Sequence, residues 1–303
     1  MRSHGAVRRA NSESIRELPQ DAEANMTVLE VLQSSTGYLQ KRAIEHSRLN
    51  AEHLLAHVLG RKRLELYLEF ERQLSEAELV PLRDFVRRRG QGEPLQHLLG
   101  TVEFCGHTFL CDRRALVPRP ETEQLVELLQ SKIQNPQCEI VDVGTGSGVI
   151  AISLAARFPE ARVHAVDISD DALALARENV NRLELSNRIN FVKGSLLQPL
   201  DGTFDLIVAN LPYVARTERD SLTREVLHDP EVALFAGQQG DEVIRELIEQ
   251  APARLRPAGL LALEIGLGQE KGVCDFLSRN NYHDIESKTD YSGTPRFVFS
   301  RYG

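Results

Sequence analysis

Residues 139–156, EIVDVGTGSGVIAISLAA, pass from a short apolar strand through a glycine loop into a helix. Gly144, Gly146 and Gly148, with Thr145 and Ser147 between them, let the backbone turn tightly and approach a ligand with no Cβ in the way. The helix behind them points free amide donors at the same place. A glycine triplet alone is common; between a strand and a helix it reads as a nucleotide-binding loop. The same texture repeats outward from it. RVHAVD (162–167), INFVKG (189–194), FDLIVAN (204–210) and GLLALEIG (259–266) are apolar runs of buried-strand length, mostly separated by helical segments. Two last runs, near 282–288 and 295–300, have no long helix between them. The expected fold is α/β: a Rossmann-like, mostly parallel seven-stranded sheet with an antiparallel hairpin at one edge.

The second strand ends in Asp167, where an acid can accept hydrogen bonds from both hydroxyls of a ribose. That suits NAD and S-adenosyl-L-methionine alike. The loop is GxGxG rather than GxGxxG, however, and the helix behind it lacks the third spaced glycine that seats a pyrophosphate. S-adenosyl-L-methionine carries no phosphate, so the balance tilts to it. Asp142, just upstream, either orders the loop or meets the amino-acid end of the cofactor.

FDLIVANLPY then settles the choice. The fourth strand runs into Asn210-Leu211-Pro212-Tyr213 at the carboxyl edge of the sheet, where ligands of open α/β sheets bind. These residue types suit methylation of a planar amide or aromatic amino nitrogen. Such a nitrogen has its lone pair tied up in resonance and is a poor nucleophile. Its two N–H groups need acceptors that hold it in line with a methyl sulfonium. Asn210 Oδ1 can take one and the Leu211 carbonyl the other. Pro212 holds residue 211 extended, and Tyr213 offers a flat face to the planar group.

The rest of the chain frames this unit. Residues 1–25 have no hydrophobic period and read as disordered, and Met26 stands where folded chain is expected to begin. Residues 26–98 read as all helix. SRLNAEHLLAHVLG puts Leu49, His53 or Leu54, and Val58 on one face and closes with Gly60, and Ser75 with Glu78 is a capping box for a helix that stops at Gly90. Residues 99–120 hold an alternating stretch expected as a β-hairpin linker to a domain spanning 121–303. No run of 18 apolar residues would span a membrane, and the first residues lack a secretory signal. The four cysteines form no CxxC pair, so no metal is expected and the cytoplasm is the expected compartment. His53 and His57 lie four apart on a helix with no third ligand, and solvated or half-buried histidines explain them. Residues 26–100 are near neutral, but residues 101–303 hold 21 Lys+Arg against 30 Asp+Glu, a net of −9. An acidic body is a poor dock for a phosphate backbone, so direct nucleic-acid binding is not expected.

Five segments in order, VPRPETE (117–123), DVGTGSG, AVDIS, ANLPY and LEIG (263–266), are those of the N5-glutamine methyltransferases that modify peptide chain release factors, and the chain resembles that family across residues 26–303. The resemblance implies a class I methyltransferase domain behind a small helical domain that recognises the release factor. It implies S-adenosyl-L-methionine held by Gly144 to Gly148 and Asp167, with Leu196 beside the adenine. Asn210 also borders the cofactor, and Asn210 to Tyr213 hold the substrate glutamine of a Gly-Gly-Gln motif. A monomer is expected. This sequence departs from the family in three places: Leu211 replaces the first proline of NPPY, Leu196 replaces a frequent aromatic, and His228-Asp229-Pro230 stands where Glu-Pro is usual. Glu264 in LEIG either touches the pocket or makes structural hydrogen bonds. Two other activities share the Asn-x-Pro-Tyr pattern, methylation of ribosomal-protein glutamine and of ribosomal RNA adenine N6. The PRPETE segment disfavours the first. The acidic domain and the leading helical region disfavour the second.

Overall fold

Thr27 caps the first helix: its hydroxyl accepts from the Glu30 amide at 3.3 Å while Glu30 Oε2 accepts from the Thr27 amide at 2.8 Å. The computed structural model describes residues 26–303, and the disorder expected for residues 1–25 lies outside the described residues. The chain divides into two compact units, one ending at Gly92 and one running from Glu93 to Gly303.

The first unit holds helices α1 (Val28–Gln40), α2 (Ser47–Leu59) and α3 (Glu76–Gly90), with a 3₁₀ turn at Arg63–Leu68. Gly60 closes α2 in the left-handed region, and Ser75 with Glu78 opens α3 as a capping box. The inner face of α2 differs from the periodic one. Leu54 is buried with Ala51 and Leu55, but Leu49 is 41% exposed, and Asn50 and Glu52 point inward instead. Both polar residues are satisfied there. Asn50 Oδ1 accepts from Arg89 Nε at 2.7 Å, and the Glu52 carboxylate accepts from Arg48, Arg63 and Tyr67 at 3.0, 2.8 and 2.6 Å.

The second unit opens with α4 (Leu95–Leu99) and the antiparallel pair β1 (Thr101–Phe104) and β2 (His107–Leu110). Cys105 and Gly106 between them both have positive φ, as a two-residue hairpin turn requires. This hairpin does not stand apart as a linker. Phe104 and Phe109 are buried in the same cluster as the sheet's residues Ile140 and Val208, because their aromatic area would otherwise face water.

Helix α5 (Pro120–Lys132) leads into seven strands: β3 (Glu139–Val143), β4 (Arg162–Asp167), β5 (Ile189–Lys193), β6 (Phe204–Asn210), β9 (Leu255–Glu264), β10 (Tyr282–Thr289) and β11 (Pro295–Tyr302). Their order is β10-β11-β9-β6-β3-β4-β5. All pairs are parallel except those made by β11, which runs against β9 and β10. The order reverses between β3 and β6, so a crevice opens at their carboxyl ends beside β4. Helices α6 (Val149–Arg157), α7 (Asp170–Arg182), α9 (Glu242–Gln250) and α10 (Glu270–Arg279) flank the sheet. One pairing has no periodic signal in the sequence: β7 (Val214–Ala215) joins β8 (Phe235–Gly237), which follows the single-turn helix α8 (Glu231–Leu234). No described helix is long and apolar enough to cross a membrane.

Candidate active site

A cavity of about 280 Å³ occupies that crevice, walled by the glycine loop, the ends of β4 and β6, the Gly194–Leu196 turn and the segment around Pro230. The loop is built from its own backbone. Gly144 and Thr145 donate to the Val166 carbonyl at 2.8 and 2.9 Å, and Gly148 donates to the Thr145 carbonyl at 2.8 Å. Two positions require glycine. Gly144 has φ +73°, and a Cβ there would sit 2.9 Å from Leu211 Cδ2. Gly148 has φ +84°, and its Cβ would meet Ile152 and Ala176 at 3.0 and 3.1 Å.

Two carboxylates hold this loop. Asp142 is fully buried; its Oδ2 accepts from Thr145 Oγ1 at 2.6 Å and from the Ala151 amide at 3.1 Å, while Oδ1 has no hydrogen-bond partner. Burial pushes its carboxyl up to about 7. It does not line the cavity, which favours the loop-ordering role. Asp167 does line it. Its Oδ2 accepts from the Gly146 amide at 2.8 Å and its Oδ1 from the Ser169 amide at 2.9 Å, which leaves lone pairs facing the cavity. Burial raises its carboxyl, and those amides oppose the shift.

Leu196 also lines the cavity, though its side chain is mostly buried and its φ is +49°. Ile168, which the sequence did not single out, also lines the cavity, with 56% of its surface exposed. These apolar walls suit a base. Two arginines line the cavity, and both are committed. Arg114 is bound to Asp112 at 2.8 Å and Glu178 at 2.7 Å, and Arg119 donates to Asp229 at 2.8 Å. No lysine is among the lining residues, whereas Asp167 and Glu246 are. A pyrophosphate would find no cation to spare here, and a sulfonium would find compensating charge. The donor set therefore fits S-adenosyl-L-methionine.

Asn210, Leu211 and Pro212 form the opposite wall. Leu211 is buried and packs its side chain toward Gly144. Tyr213 is not part of the lining. Its ring lies against Gly266, and its carbonyl accepts from Gln269 Nε2 at 3.2 Å. Beside Asn210 lies a pair of which the sequence named only Glu264, without fixing its role, and left Thr122 unassigned. Asn210 Nδ2 donates to Thr122 Oγ1 at 3.0 Å, and Thr122 Oγ1 donates to Glu264 Oε2 at 2.8 Å.

Most of the chain matches known proteins. A family model described as PrmC N-terminal domain matches residues 30–100, and one described as Methyltransferase small domain matches residues 120–240. A "Release factor glutamine methyltransferase" of Geobacter sulfurreducens is 39% identical over 279 residues, covering 91% of this chain and 97% of that protein. The chain belongs to that family. A protein of the same description from Deinococcus radiodurans is 38% identical over 277 residues, covering 91% and 99%. Among solved structures, a methyltransferase from Pyrococcus furiosus superposes with a TM-score of 0.50 at 18% identity, over 64% of this chain and 88% of its own. The hMettl16 catalytic domain, in complex with MAT2A 3'UTR hairpin 6, gives 0.53 at 16%, over 64% and 75%. At these identities the likeness is one of fold. The chain is an S-adenosyl-L-methionine-dependent methyltransferase, with the class I architecture that its sheet order displays.

Glu264, left open between pocket and structure by the sequence, proves to be structural support placed next to the site. It is 2% exposed, and burial pushes its carboxyl up to about 7 from an ordinary 4.5, against the Thr122 hydrogen bond and the nearby Arg296, with Glu121 adding to the rise. The unfolded chain releases this proton near 4.5, so the folded state alone holds it between there and about 7. Stability from this group is present below the lower value and is lost as pH climbs through the upper one. Urea unfolding near pH 5 and near pH 8 should show Glu264→Gln gaining on the parent enzyme at the higher pH. Parallel pH profiles would mean that Glu264 titrates alike in both states.

Asp229, in the unusual His-Asp-Pro, is buried and ties two segments together. It accepts from the Val117 amide at 3.2 Å and from Arg119, and burial pushes its carboxyl up to about 6. In His-Asp-Pro the acid thus stands directly before Pro230.

Proposed function

We propose that this methyltransferase places one methyl group on the side-chain amide nitrogen, N5, of the glutamine in the Gly-Gly-Gln motif of a peptide chain release factor. The observation that carries the reading is the Asn210 side chain. Its NH2 end is taken by Thr122, so its Oδ1 is left to face the cavity. Asn210 Oδ1 and the Leu211 carbonyl accept the two amide N–H groups and turn the nitrogen toward the methyl donor. Gly144 to Gly148 and Asp167 hold that donor, with Leu196 and Ile168 flanking its base. Bound S-adenosyl-L-methionine supplies an electrophilic methyl group on a sulfonium. The site's own work is to fix the substrate nitrogen and to exclude water with Leu211, Pro212 and Phe235. Substitution at the nitrogen breaks one N–H bond, polarised beforehand by the acceptors, and its proton is given up to solvent. Tyr213, whose ring lies off the cavity lining, supports the turn rather than the substrate.

The acidic second unit favours a protein substrate over RNA, and the helical unit is the surface that recognises the release factor's body. The enzyme acts as a monomer in the cytoplasm, where release factors work. Purified release factor incubated with enzyme and labelled cofactor should acquire a single methyl at the Gly-Gly-Gln glutamine, read by mass spectrometry of its peptides. Label found only on ribosomal RNA would overturn this choice.

A further inference from the structure

An asparagine amide is nearly symmetrical in shape, with an acceptor at one end and a donor at the other. The proposed function works only if Asn210 presents the acceptor to the cavity. We propose that Thr122 is the positioning residue that fixes this choice, and that Glu264 fixes Thr122 in turn. The three residues come from α5, β6 and β9 and form a connected set in which Asn210 also hydrogen-bonds Glu264 directly. Glu264 Oε2 lies 2.8 Å from Thr122 Oγ1 and, once its carboxyl ionises above about pH 7, takes the threonine's only proton. The threonine oxygen can then only accept, and its neighbour at 3.0 Å must be the NH2 end of Asn210. Thr122 and Glu264 are both largely buried, Thr122 at the border of the cavity, so few waters compete for either bond. Glu264 is further held in place by the register of β6 with β9, which pairs Asn210 with Glu264 directly. The PRPETE segment thus contributes a threonine that sets which end of the amide meets the substrate.

The proposal rests on the reading of Asn210 as substrate acceptor, and it makes a claim that a purely structural threonine would not. With the acceptor facing out, the site favours a substrate with NH2 over one with a carboxylate. With the amide turned round, that preference weakens or reverses.

The test compares Thr122→Val, which keeps the shape and loses the hydroxyl, with Thr122→Ser, which keeps the hydroxyl. Each is assayed on purified release factor bearing Gln, and for binding on the same factor bearing Glu at that position. Thr122→Val should slow single-turnover transfer about tenfold or more at saturating substrate, with cofactor affinity within about twofold of the parent. It should also narrow the preference for the Gln factor over the Glu factor, whereas Thr122→Ser should restore both rate and preference. Thermal melts of the two variants separate a misfolded protein from a misoriented one. If Thr122→Val transferred as fast as the parent, or lost cofactor affinity in step with its rate, or left the Gln-to-Glu preference intact, the proposal would be wrong. The outcome distinguishes two failures. A fast Asn210→Ala enzyme would sink the reading of the site, while a slow Asn210→Ala beside a fast Thr122→Val would sink only the positioning role.

Discussion

Asn210→Ala should slow methyl transfer by about a hundredfold to a thousandfold in a single-turnover assay while leaving cofactor affinity nearly unchanged. Asn210 sits at the end of β6, whereas the cofactor's ribose is assigned to Asp167 at the end of β4, two strands away. The Asn210 side chain enters the cavity from a buried base formed by Thr122 and Glu264, so its position costs nothing further when substrate arrives. Its acceptor therefore acts on the nitrogen in the transition state, where loss of one preorganised polar contact is felt in the rate. Alanine leaves Thr122 with a spare lone pair and removes one of the bonds to Glu264, whose bond to Thr122 remains, so the fold should tolerate it. A variant as fast as the parent would mean that this motif serves the turn alone.

How much of this was legible in the sequence depends on how far apart the partners are. The glycine loop, Asp167 and the Asn-Leu-Pro-Tyr segment announce themselves because each lies within one strand-turn unit, and strand alternation with helices gave the sheet around them. The seven strands appear with their edge hairpin, yet only the structure shows that β11 alone runs against its neighbours. What stayed hidden was set by distant partners. Glu264 meets Thr122 across 142 positions and Asp229 meets Arg119 across 110, and neither carries a periodic signal. The inner face of α2 was misjudged for the same reason. Asn50 turns inward because Arg89, 39 residues on, arrives to meet it. The short β7–β8 pair and the departure of Tyr213 from the cavity lining depend on Gly240 and Gly266, which close over that segment from later in the chain: a Cβ on Gly240 would lie 2.7 Å from the Tyr213 carbonyl oxygen, and one on Gly266 3.0 Å from its ring.

Asp167→Ala should have the complementary effect, on binding rather than on rate. The carboxylate does two jobs in the structure. Through Oδ2 it pins the Gly146 amide at 2.8 Å, and through Oδ1 the Ser169 amide at 2.9 Å, so it sets both the loop and the entry to α7. Its remaining lone pairs are assigned to the ribose hydroxyls. Charge-assisted hydrogen bonds of this kind are worth about 1.5–3 kcal/mol together, so affinity for S-adenosyl-L-methionine should fall about tenfold to a hundredfold by calorimetry. Asp167→Asn should fall between the two, because its amide presents an NH2 to one of the two backbone donors and leaves that donor unmatched. At cofactor concentrations high enough to saturate the variant, most of the transfer rate should return, since Asn210, Leu211 and Pro212 are untouched. NADH should bind neither protein, because both arginines at the cavity are already paired. An unchanged calorimetric affinity would place the ribose elsewhere, and a rate that stayed low at saturation would mean that the loop held by Asp167 also positions the reacting methyl.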